Sequence, residues 1–185
     1  MGLFIYMAPI VIINKKRNPD YYLGKTAIKY EDKRKHQNSW KEEYKIVEKT
    51  ISKYLPEKII DIPVGTGRFF PIYEKYNVDV LGIDISPDML KEAKKKNNNF
   101  ALKQSSIFDE PLEGFVVCMR ILNFFTKEEI FSILRKVKGY ILFTLRHTTQ
   151  EDIKELQEKT GLEIIENYYL KKSGKGDFYI YLAKK

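Results

Sequence analysis

The sequence predicts an α/β fold, a three-layer sandwich whose seven-stranded, mostly parallel sheet ends in an antiparallel hairpin. Three observations predict it. Apolar, β-branched runs alternate with charged segments of helical period, the pattern of a sheet covered on both faces by helices. The helical segments carry physical start signals. The last two apolar runs are joined only by Lys171-Lys172-Ser173-Gly174-Lys175-Gly176, too short for the crossover that parallel neighbours need, so they pair antiparallel.

Taken in order, the strand candidates are Lys58 to Ile62, Val78 to Ile83, Phe100 to Lys103, Phe115 to Met119, Tyr140 to Leu145, Leu162 to Tyr169 and Phe178 to Ala183. A helix from about Ser39 to Tyr54 precedes the first of them, and another follows the glycine loop after it, running through Tyr76. Ser86-Pro87-Asp88 places an N-cap hydroxyl, a first-turn proline and a carboxylate at one helix start. Lys94-Lys95-Lys96 followed by Asn97-Asn98-Asn99 reads as that helix's frayed end. Thr126-Lys127-Glu128-Glu129 has the form of a capping box ahead of the apolar face of Ile130, Ile133 and Leu134. Thr149 with Asp152 marks one more N-terminus, and Gly161 its stop. Residues 1–38, with Asn18-Pro19-Asp20 and Tyr21, Tyr22, Tyr30 and Arg34, are expected to form an extension or lid ahead of a single domain over 39–185.

The bulk composition bounds the class. At 185 residues, 43% hydrophobic and 31% charged, the chain has the length and make-up of one globular domain. No apolar run approaches the ~20 residues that span a bilayer, and the apolar start Met1 to Ile13 lacks the flanks of a secretory signal. The lone Cys118 lies in a strand-like run and is read as core, which fits a cytoplasmic location. A net charge of +8 would suit a polyanion, but the excess is dispersed lysine rather than arginine forks, so nucleic acid is not the favoured partner. No spacing of His and Cys suggests a metal.

The most informative segment is Ile59-Ile60-Asp61-Ile62-Pro63-Val64-Gly65-Thr66-Gly67-Arg68-Phe69, a buried strand entering a glycine loop and then a helix. The two glycines allow a tight turn and a close approach to a ligand. A dinucleotide loop wants a third glycine where this chain has Phe70. Asp84, ending Val80-Leu81-Gly82-Ile83-Asp84, is placed to accept hydrogen bonds from ribose hydroxyls.

These two segments, Asp61-x-x-x-Gly65-x-Gly67 and Gly82-Ile83-Asp84-x-Ser86-x-x-Met89-Leu90, resemble the cofactor motifs of the class I, Rossmann-like S-adenosylmethionine-dependent methyltransferases. The resemblance covers most of Lys58 to Leu145. It implies S-adenosylmethionine as cofactor and contacts at Asp61, Pro63, Gly65, Thr66 and Gly67 on the loop. It further implies Asp84 on the ribose, Met89 or Ile85 flanking adenine, and contacts from Ser106, Ile107 and Met119. Two departures stand out: Pro63 replaces a small residue of the motif, and Ser106 stands where many relatives have an aspartate for the adenine amino group.

The resemblance also implies methyl transfer. The segment Cys118-Met119-Arg120-Ile121-Leu122-Asn123-Phe124 lacks the Asn/Asp-Pro-Pro-aromatic or Pro-Cys motif of base methylases, which disfavours base methylation of those kinds. The chain has the cofactor core but little beyond it to clasp a large substrate, so a small-molecule acceptor is expected. The alternatives are an RNA or protein methyltransferase and a non-catalytic S-adenosylmethionine-binding regulatory protein. In open α/β sheets ligands lie beyond the strands' carboxyl ends. There Arg120 and Arg146 are expected to bind a carboxylate or phosphate, and His147 is the candidate base. Arg68, which begins a helix, is ranked below them. Phe124, Phe125 and Phe131 are assigned to helix packing, and His36 to the surface.

Overall fold

In the computed structural model the described residues are 24–30, 32, 34, 36–170 and 177–185. Tyr21, Tyr22, most of the expected extension and the loop 171–176 lie outside them.

The chain begins with a short helix α1 (Lys25–Ile28) and the long helix α2 (Asn38–Tyr54). Strands and helices then alternate: β1 (Lys58–Asp61), α3 (Phe70–Lys75), β2 (Asp79–Asp84), α4 (Pro87–Lys96), β3 (Ala101–Gln104) and β4 (Leu112–Cys118). A 3₁₀ turn at Leu122–Phe124 leads into α5 (Lys127–Arg135), β5 (Val137–Arg146), α6 (Gln150–Thr160), β6 (Glu163–Leu170) and β7 (Phe178–Lys184).

The strands form one seven-stranded sheet in the order β3-β2-β1-β4-β5-β7-β6. Pairing is parallel from β3 through β5, whereas β7 runs antiparallel to both β5 and β6. This is the expected sheet, its closing hairpin included. The order reverses at β1, whose neighbours are β2 and β4, so the loops after β1 and β4 diverge and leave a crevice at the strands' carboxyl ends.

Period-two alternation divides the core into two layers. Ile59 of β1, Phe115 and Val117 of β4, Leu142 of β5, and Phe178, Ile180 and Leu182 of β7 share a cluster with Ile46, Val47 and Ile51 of α2 and Ile72 and Tyr73 of α3. Val116, Cys118, Ile141, Phe143, Tyr181 and Ala183 face the other way, onto Ile130, Ile133 and Leu134 of α5 and Leu156 of α6. Burying each such side chain contributes roughly 1.5–3 kcal/mol before chain entropy is charged against it. Cys118 is fully buried in this second layer.

The helix starts form as the sequence signals them. Ser86 Oγ accepts the Met89 N–H at 3.2 Å. Thr126 with Glu129, and Thr149 with Asp152, make reciprocal capping boxes, and Gly161 closes α6 in the left-handed conformation at φ 73°. One expectation is corrected. The end of α4 is not frayed, because Asn97 accepts the N–H groups of Asn99 and Phe100 at 2.7 and 3.3 Å and donates its Nδ2 to Glu74 at 2.6 Å. Among the described residues no helix is long and apolar enough to cross a membrane.

Candidate functional site

The loop after β1 is fixed from both sides. The Ile62–Pro63 peptide is cis, Val64 donates its N–H to the Ile83 carbonyl at 2.8 Å, and Gly67 donates to the Val64 carbonyl at 3.1 Å. Gly65 and Gly67 both have positive φ, 56° and 70°, a region that L side chains adopt at a cost. They differ in what surrounds them. A Cβ on Gly67 would lie 2.6 Å from the Phe70 ring, whereas one on Gly65 would meet nothing within 4 Å. Gly67 is thus a packing glycine, and Gly65 leaves room in the cleft.

Asp84, at the end of β2, is nearly buried and accepts the Gly65 N–H and the Ser86 N–H, each at 2.9 Å. Burial pushes its carboxyl up from the usual range, and the N–H groups of Ser86, Gly65 and Ile85 oppose that shift. A carboxylate has about four acceptor sites, so Asp84 keeps capacity for hydroxyl donors in the cleft.

The cleft holds about 730 Å³ of space between atoms, the open solvent at its mouth included. Of the residues predicted from sequence it brings together Pro63, Gly65, Thr66, Asp84, Ile85, Met89, Met119 and Arg120. Tyr30, expected of the lid, also lines it, and the Arg34 guanidinium lies over that tyrosine's ring at 4.5 Å.

Other predicted residues lie elsewhere. Asp61 is buried behind the loop, where Tyr73 Oη donates to its carboxylate at 3.0 Å, and burial pushes its carboxyl up to about 8. Ser106 does not line the cleft; its Oγ accepts the Phe108 N–H at 3.3 Å. Ile107 is packed in the second core layer. Arg146 lies over the Phe178 ring at 4.3 Å rather than on the cleft wall. His147 is exposed at φ 47° and outside the cleft, because β5 ends beyond the crevice mouth that β1, β2 and β4 define.

Sequence reasoning missed the wall opposite Asp84. Arg68, ranked lowest, lines the cleft with its side chain 10% exposed. Its guanidinium stacks on Trp40 of α2 at 3.6 Å and donates to Glu43 at 3.1 Å. Arg120 donates its Nε to both Glu43 carboxylate oxygens at 2.7 and 2.8 Å. Glu43 itself is fully buried. The signal was present, since Trp40, Glu43, Val47 and Ile51 follow helical spacing and a glutamate inside such an apolar stripe demands a cationic partner. Phe124, assigned to helix packing, instead lines the cleft from the 3₁₀ turn, while Phe131 is core.

Residues 59–142 match the family model of a methyltransferase domain. An uncharacterised methyltransferase-like protein of Schizosaccharomyces pombe is 29% identical over 84 residues, which are 43% of this chain and 33% of that protein. The match therefore spans a third of that relative's length. Among solved structures, magnesium protoporphyrin IX methyltransferase from Synechocystis PCC 6803 with bound S-adenosylmethionine superposes with a TM-score of 0.73 at 14% identity, covering 90% of this chain and 95% of that one. The N-methyltransferase NodS from Bradyrhizobium japonicum WM9 gives 0.64 at 13% identity, covering 78% and 95%.

Proposed function

We propose that this chain is a class I S-adenosylmethionine-dependent methyltransferase that holds the cofactor in the cleft between the Gly65 loop and Asp84 and transfers its methyl group to a small-molecule acceptor. The observation that carries the reading is the joint made by Asp84: its carboxylate accepts the Gly65 amide and lines the cleft at the point where the strand order reverses.

The residues fit the cofactor. Gly65 leaves open space where a side chain would stand, Asp84 offers acceptor sites suited to ribose hydroxyls, and Ile85 and Met89 give an apolar slot beside it. When bound, S-adenosylmethionine supplies an electrophilic methyl group on a sulfonium. What the chain must do is align a nucleophile with that methyl and keep water out. Trp40, Met119 and Phe124 supply apolar walls for this purpose, and a general base is optional for the displacement.

Two observations favour a small acceptor. A structural neighbour is named for a small molecule, magnesium protoporphyrin IX. Several of the lysines that make the chain basic are paired with surface glutamates, as in Lys45–Glu42, Lys75–Glu48, Lys95–Glu92 and Lys138–Glu113, which weakens the case for a basic nucleic-acid face.

The test has two steps. Calorimetric titration with S-adenosylmethionine, S-adenosylhomocysteine and NAD should give micromolar binding of the first two alone. Methyl label should then appear in a metabolite fraction; label confined to RNA or protein overturns the small-molecule acceptor, and tight binding with no product from any pool points to a non-catalytic binding protein.

A further inference from the structure

The loop after β3, residues 105–111, stands behind the Asp84 side of the cleft rather than in it. Its first amide, that of Ser105, donates to the Asp84 carbonyl at 3.1 Å. Gln104 Nε2, at the end of β3, donates to the Ile85 carbonyl at 3.2 Å. Asp84 and Ile85 both line the cleft, so the loop braces that wall from behind.

The far side of the loop is gripped by one side chain. Lys136, the residue that closes α5, donates Nζ to the carbonyls of Ile107 at 2.7 Å, Phe108 at 3.0 Å and Glu110 at 2.6 Å. An ammonium has three N–H donors, and here all of them go to a single turn. Burial lowers the Lys136 pKa, and the charges of Asp109 and Glu110 act against that shift. Glu110 is itself buried and held by Lys103 at 2.7 Å, while Phe108 packs edge-on against Phe125 at 5.0 Å.

Three carbonyl dipoles aimed at one point repel each other unless a cation stands between them, and half-buried carbonyls without a donor are costly. Only lysine supplies three donors from one atom, since the guanidinium of arginine spreads its donors in a plane. The loop is therefore built around this particular side chain.

We infer that Lys136 is a positioning residue of the cofactor cleft: its ammonium, seated in three loop carbonyls, fixes residues 105–110 and through them the wall made by Asp84 and Ile85. The inference rests on the cofactor reading above and adds to it a residue that does not line the cleft.

The experiment titrates S-adenosylhomocysteine into the full chain and into Lys136→Met, Lys136→Ala and Lys136→Arg, with Thr126→Ala as a variant that weakens α5 without touching the loop. Lys136→Met keeps an apolar stem and removes the donors, so affinity should fall by ~3- to 10-fold, the worth of about one hydrogen bond. Lys136→Arg should fall as well, and because it keeps length and charge it carries the test where the smaller variants do not fold. Ethylammonium chloride fills the space left in Lys136→Ala and should recover part of the lost affinity. Tetramethylammonium chloride at the same concentration has no N–H to donate and should recover none.

A lysine that serves stability alone predicts a lowered urea midpoint with unchanged affinity, as expected of Thr126→Ala. That result in Lys136→Met or Lys136→Arg, or an equal response of Lys136→Ala to the two salts, overturns the positioning role and leaves the cofactor reading standing. A folded wild-type chain that binds no S-adenosylhomocysteine overturns the cofactor reading, and the positioning role with it.

Discussion

The Asp84 carboxylate accepts the Gly65 amide at 2.9 Å, so the end of β2 and the turn after β1 are one unit rather than two adjacent loops. Its other oxygen takes the Ser86 amide at 2.9 Å, which also ties that unit to the start of α4. Asparagine at this position has a single acceptor oxygen and must abandon one of the two amides. Asp84→Asn should therefore weaken S-adenosylhomocysteine binding by ~10- to 100-fold and cost about 1–3 kcal/mol of stability. Calorimetry and urea unfolding read the two effects; unchanged affinity in folded protein would remove Asp84 from the site.

The two loop glycines should respond to alanine in opposite ways. Gly67→Ala places a methyl 2.6 Å from the Phe70 ring, which is buried and packed edge-on against Phe100 at 4.9 Å. Left-handed strain and overpacking together should cost roughly 2–5 kcal/mol. Gly65→Ala meets nothing and should cost only about 1–2 kcal/mol of strain, but its methyl enters the cleft and should cut cofactor affinity. Equal losses of stability in urea for the two variants would contradict this division.

The fold was legible because its determinants are local. Every strand but β3 has an apolar or alternating run, the hydroxyls of Ser86, Thr126 and Thr149 cap helices as their spacing signals, and the short final connector dictates an antiparallel pair. The Asp84 side of the cleft was legible for the same reason, since Gly65, Gly67 and Asp84 lie in two short contiguous segments. The opposite side was not. Glu43 and Arg120 are 77 positions apart, and nothing local says that α2 lays Trp40 over Arg68. His147 and Arg146 stand outside this cleft for a related reason: the end of a strand borders it only where that strand flanks the reversal in strand order.

Glu43 joins α2 to the loop after β1 and to Arg120 in the segment after β4, so its loss should be felt across the domain. Removing one partner of a buried ion pair typically costs ~3–5 kcal/mol, and Glu43→Ala leaves Arg68 and Arg120 facing each other. The control is Thr126→Ala, which deletes the α5 cap and should cost about 1 kcal/mol without changing cofactor affinity. Urea midpoints compare them. A loss in Glu43→Ala no larger than in Thr126→Ala would mean that the two cations do not depend on this carboxylate.

Asp61 should make the protein less stable as pH rises. Burial pushes its carboxyl from 3.8 in the ordinary state to about 8, more strongly than the Tyr73 hydroxyl and the charge of Arg68 pull it down, and Asp84 adds a smaller upward push. The buried thiol of Cys118, itself raised by burial, is the remaining titratable neighbour. Between those two pH values the native state holds a proton that the unfolded chain has released, so the slope of stability against pH is negative. The contribution is fully present below pH 3.8 and is lost as pH climbs through about 8, at up to about 1.4 kcal/mol per pH unit. An asparagine side chain in its place cannot ionise yet can still accept from Tyr73. Asp61→Asn should thus gain stability relative to wild type as pH is raised from 5 to 8, read as urea midpoints at several pH values. A gap between the two proteins that stays constant over that range would show that Asp61 ionises in the folded protein as it does in the unfolded chain.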